Sequence, residues 1–150
     1  MGSFFRSSPS PRDALLAELA VIAGRKESLI ELLKRHATMC SYPNIKAGLE
    51  QLASREESHL KALKAILSDH GMWPRPPEPS AHDGSSNWER LSGDLELAAE
   101  LSRAINRQSV AWEPIDPAMA QRFADMYGED YENTSFLRDL ALKCDPQAFD

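Results

Sequence analysis

Counting from Ile45 in alternating steps of four and three gives Ile45, Leu49, Leu52, Glu56, His59, Leu63 and Ile66. Five of these seven are aliphatic, and the two in the middle can carry charge. This is the spacing of a helix that buries one stripe in a bundle. Ionisable groups inside such a stripe are costly unless something pairs with them. The same periodicity predicts a first helix from Arg12 to about Ala37, with Asp13 as its N-cap, and a second from Pro43 to His70, stopped by Gly71. A third helix begins near Asn87 or Trp88 and runs through Trp112. Pro117 opens a fourth, which continues to Cys144. No segment alternates with period two over any length, so no sheet is expected.

The connections set the topology. The turn between the first two helices is short, which makes them antiparallel neighbours. Residues 72–87 hold four prolines and no apolar period. The second helix, at ~1.5 Å per residue, is about 42 Å long. An extended proline-rich link of this length spans roughly 50 Å, enough to run the length of the bundle. The expected fold is therefore all-α: a four-helix bundle of two antiparallel pairs joined by a long crossover. Residues 1–10 read as a flexible leader, and 11–150 as one domain. A shift of 74 positions carries Pro43 onto Pro117 and every apolar stripe residue of the second helix onto an apolar residue of the fourth. It carries Glu56 onto Asp130 and His59 onto Asn133, so the fourth helix also has a polar break in mid-seam.

Composition narrows the function. A net charge of −6 argues against a general nucleic-acid binder and against docking on anionic membrane. No apolar run is long enough for a membrane span. Two cysteines, Cys40 and Cys144, do not make a disulfide framework and point to a reducing cytoplasm. His36 and His70 stand near helix C-termini, where they can meet the last carbonyls. Tyr127 and Tyr131 flank Asp130, where core packing or a hydrogen-bonding or redox role is open to them.

The chemistry lies in the interrupted seam. Glu56 and His59, three apart, point to one side of their helix. A carboxylate and an imidazole together can hold a divalent metal such as iron or zinc. In the first helix Leu16, Ala20, Ala23, Glu27, Ile30 and Lys34 form a row that sets Glu27 among small residues, with room for an ion. The alternative for these residues is a buried ion pair that fixes the register of the bundle.

The segment from Arg25 to Leu67, with Glu27 followed about thirty residues later by Glu56-x-x-His59 and with a proline turn between, resembles the first helix pair of rubrerythrin-like members of the ferritin-like superfamily. That resemblance implies a metal site inside the bundle, iron as its ion, and oxidase, peroxidase or iron-handling activity. Glu27, Glu56 and His59 would be ligands, with Asp130 in place of a glutamate from the fourth helix. The second half departs from the family pattern. Asp130-x-x-Asn133 stands where a second Glu-x-x-His belongs, and Glu132-x-x-Ser135 also lacks histidine. Glu100 lies one position from the third-helix ligand. No Cys-x-x-Cys module is present. Two further readings follow: a site shared by two chains of a homodimer, and a bundle that has lost catalysis and serves in dimerisation or protein interaction.

Overall fold

A computed structural model describes residues 10–77 and 83–145; the leader residues 1–9 and His82 of the link lie outside these. Four helices follow one another: α1 (Pro11–Met39), α2 (Pro43–Asp69), α3 (Asn87–Trp112) and α4 (Pro117–Lys143). The described residues contain no strand. Three of the helices start on proline or carry it in the first turn, where its missing N–H costs nothing. The N-cap of α1 is Ser10 rather than Asp13: the Asp13 amide donates to the Ser10 hydroxyl at 3.1 Å. The serine precedes Pro11, so the helix begins as soon as proline allows it, and Asp13 falls in the first turn. Ser86 and Asp116 cap α3 and α4 in the same way. Gly71, at φ 68°, follows the end of α2.

Helix α1 packs on α2 and α3, and α4 on α3 and, least closely, on α2. The pairs α1/α4 and α2/α3 face each other across the diagonal. The stripe of α2 is buried along its whole length, and so are its counterparts Met119, Phe123, Met126, Leu137 and Leu140 of α4. The link meets α1 at Arg75 and again at Asp83. It is fastened where Arg75 N–H donates to the Ala20 carbonyl at 2.9 Å. Gly24 makes this approach possible, since a Cβ there would stand 1.7 Å from the Arg75 carbonyl oxygen. Further on, Asp83 accepts from Arg35 Nε at 2.7 Å and meets His36 Nε2 at 3.1 Å. His36 is fully buried and not at a helix-end carbonyl as expected; His70 does bond the Ile66 carbonyl, at 2.9 Å. Tyr131 is exposed, and so is Trp73, while Trp112 fills the core. No helix among the described residues is long and apolar enough to cross a membrane.

Candidate metal centre and its internal cation

Glu56 and His59 of α2 and Asp130 and Asn133 of α4 are all buried at one level of the bundle. Helical spacing does this: each pair is three apart on a helix whose neighbouring stripe positions are aliphatic. One ligand atom each from Glu56, His59 and Asp130 lies within 4.8 Å of the others. Asn133 Nδ2 donates to Glu56 Oε1 at 3.3 Å, and its Oδ1 accepts from Arg55 at 3.5 Å.

The fourth member comes from α1, and it is Lys26, not Glu27. Lys26 is 1% exposed. Its Nζ donates to Glu56 Oε2 at 2.6 Å and to Asp130 at 2.9 Å (Oδ1) and 3.1 Å (Oδ2). It thus reaches across the bundle axis to the diagonal helix. Glu27 is exposed on the outer side of α1 and stands apart from the cluster. The reason is a choice of phase. Leu16, Ala23 and Ile30 belong to two rows: one passes through Ala20, Glu27 and Lys34, the other through Leu19, Lys26 and Leu33. The second row is the buried one, because it carries the larger aliphatic surface. Lys26 carries no carboxylate and so does not stand out as a metal ligand in the sequence. Its burial is signalled by Leu19 and Leu33, which bracket it at seven-residue spacing. Glu100 is only partly buried and pairs with Arg25 at 2.6 Å, and Glu132 is exposed. Neither joins the cluster. The buried aliphatic positions in the middle of α3 are Ala98, Leu101, Ala104 and Ile105.

The electrostatics follow from this arrangement. Burial lowers the Lys26 pKa, but the charges of Glu56 and Asp130 and the hydrogen bonds to them outweigh it and hold the pKa above the ordinary lysine value. Burial likewise opposes ionisation of Asp130, yet the hydrogen bond from His59 and the Lys26 charge keep it below the usual carboxylate range. His59 has a carboxylate at each ring nitrogen: Nδ1 lies 2.7 Å from Asp130 Oδ1 and Nε2 2.6 Å from Glu129 Oε2. Burial and the Lys26 charge lower its pKa, but the hydrogen bonds and the charge of Asp130 outweigh them and raise it. Two carboxylate acceptors require both ring nitrogens to donate, so the ring is an imidazolium.

A crystal structure described as ferritin-like, diiron-carboxylate proteins from Bacillus anthracis strain Ames superposes on this chain with a TM-score of 0.78. The match covers 89% of this chain and 99% of that chain, at 16% sequence identity. This chain has the ferritin-like fold. No family model and no curated protein matches the sequence. The donor set of this ferritin-like bundle does not fit a di-iron centre. It offers two buried carboxylates and one histidine, and an asparagine stands where the second half repeats that histidine. An ammonium without a lone pair occupies the space between the carboxylates, and the one imidazole has both nitrogens committed as donors.

Proposed function

We propose that this chain is a metal-free ferritin-like module whose own Lys26 ammonium takes the place of a bound cation, and that it works through its surface in protein interaction or self-association. The observation that carries this reading is the seat of Lys26 Nζ, 2.6 Å from Glu56 and 2.9 Å from Asp130 with 1% exposure. A buried lysine so placed, together with the protonated His59 ring, balances the two carboxylates and needs no ion to do it. The surface supports the second half of the proposal. Met39 and Tyr42 flank the α1–α2 turn and are 42% and 60% exposed; Leu142, in the last turn of α4, is 50% exposed. Tyr42 shares a recess of about 760 Å³ with Ile45, Trp88 and Cys144 at that end of the bundle. Metal analysis of protein from iron-supplemented cells tests the first half. Iron, zinc and manganese well below one ion per chain are expected, and a stoichiometric metal overturns the reading. Light scattering tests self-association, for which a homodimer is the expected form.

A second reading keeps the iron. It rests on the Glu56, His59 and Asp130 donors within 4.8 Å of one another, and on the diiron-carboxylate description of the Bacillus anthracis protein. It requires Lys26 to leave its seat and His59 to give up a proton, and it leads to oxidase, peroxidase or iron-handling activity in the cytoplasm. A melting temperature that rises on adding ferrous ion to the unaltered chain favours this reading.

A further inference from the structure

The loosest seam of the bundle, between α2 and α4, opens to solvent beside the ionic cluster. A pocket of about 310 Å³ lies there, lined by Arg55, Ser58, His59, Glu129, Glu132 and Asn133. His59 and Asn133, each 6% exposed, face it from the bundle interior. The inner ring nitrogen of His59 is held by Asp130, itself buried. The outer one, Nε2, points to the pocket and donates to Glu129, whose side chain is 67% exposed. The two partners of one imidazolium thus differ sharply. Asp130 is fixed by Lys26, His59 and the packing of α4. Glu129 is a surface side chain folded back over the opening, and holding it there costs rotamer freedom.

Arg55 stands at the same opening. Its guanidinium lies over the Phe136 ring at 5.3 Å and donates to Asn133 at 3.5 Å. A guanidinium has five N–H groups in a fork that matches a carboxylate, so donors remain for a ligand. The pocket therefore offers an imidazolium N–H on its floor and a guanidinium at its side. The group now bonded to the floor is a carboxylate.

We propose that this gap is a binding site for the carboxylate group of a small monocarboxylic acid, which takes the place of Glu129 on His59 Nε2. The inference rests on the metal-free reading, since it needs His59 as a donor rather than a ligand. Glu129 is then an internal competitor that the ligand displaces to solvent. Glu132, exposed at the rim and released Glu129 beside it repel a second carboxylate, so dicarboxylic acids bind more weakly. A cationic group elsewhere on the ligand is favoured for the same reason.

The experiment is a titration of the full chain with acetate, followed by the His59 ring nitrogen resonances, against chloride at matched ionic strength and against succinate. Acetate is expected to shift the Nε2 resonance saturably and chloride not, with succinate weaker than acetate. Glu129→Ala removes a surface side chain and the competitor together. It should tighten acetate binding by about tenfold, the factor for a seat nine-tenths occupied by its own side chain. Arg55→Ala should weaken it. A Glu129→Ala protein that responds to acetate no differently than to chloride overturns the site. The metal content of the same sample separates the two failures. Metal-free protein with no acetate response defeats this site alone, whereas a stoichiometric metal on His59 defeats both.

Discussion

Helix α1 carries two buried cations ten positions apart, and their neighbourhoods differ in kind. Lys26 looks into the bundle and meets two carboxylates, Glu56 and Asp130, that are each nearly inaccessible. His36 looks toward α3 and the link. It meets one buried carboxylate, Asp94, at 2.6 Å and one half-exposed carboxylate, Asp83, at 3.1 Å. The first cluster closes an ionic group inside the core, with a cation that keeps its charge across the physiological pH range. The second fastens a surface segment with a histidine whose carboxylate partners raise its pKa above the ordinary value. The contrast teaches that burial of the cation is common to both, while the exposure of its partners decides whether it supports the core or a tether.

The largest expected effect comes from emptying the first cluster. Lys26→Met leaves Glu56 and Asp130 buried beside each other and should cost about 3–5 kcal/mol in urea unfolding. That corresponds to a fall of melting temperature on the order of 6–20 °C for a chain of this size. Zinc or ferrous ion should recover part of the loss in this variant and leave the unaltered chain unmoved. A variant that melts with the parent breaks the comparison outright.

His36→Asn should cost about 1.5–3 kcal/mol at pH 6, the range for hydrogen bonds to a charged group. Burial lowers the His36 pKa, but its hydrogen bonds to Asp94 and Asp83 and their charges raise it above the ordinary value. A raised pKa in the folded state adds stability in full below about 6.5 and loses it as pH rises through the folded value. The penalty of His36→Asn should therefore shrink with rising pH in that window. A penalty that grows instead reverses the charge assigned to the ring.

Gly24→Ala should cost about 1–3 kcal/mol, because the link must move off the Arg75 contact. Since Gly24 and His36 hold the same segment, their double variant should depart from additivity by more than about 0.5 kcal/mol. Paired with Lys26→Met, Gly24→Ala sharpens the contrast, since no described residue of the link takes part in the Lys26 cluster. The smallest effect belongs to Glu27→Ala, which should leave the unfolding midpoint where it is. A large loss there restores Glu27 to the interior.

The fold was legible because its signals are local and repeated. Pro43 and Pro117 start equivalent helices, Gly71 follows the end of one, and the stripe from Ile45 to Ile66 recurs from Met119 to Leu140. The polar breaks at Glu56, His59, Asp130 and Asn133 could be read for the same reason. The α1 member of the site could not be read as securely. Leu16, Ala23 and Ile30 are shared by two rows, and a search for a carboxylate selects the row with Glu27. What decides between them is the larger buried surface of Leu19 and Leu33, together with the ability of two carboxylates on other helices to hold an ammonium. The second property is not local to α1. His36 reads as a partner of its own helix end for the same reason: its partners Asp83 and Asp94 lie in the link and in α3.

Lys26 and Asp130 stand 104 positions apart in the chain. Each helix pair can form from contacts between near neighbours in sequence, whereas this contact must wait until the link has been laid along α1 and the pairs have met. Contacts of such separation form late, since the entropy of closing the loop is lost before they repay it. The ionic cluster is thus a lock on unfolding and no guide to folding. Weakening it should speed the escape from the native state and leave the refolding rate nearly unchanged.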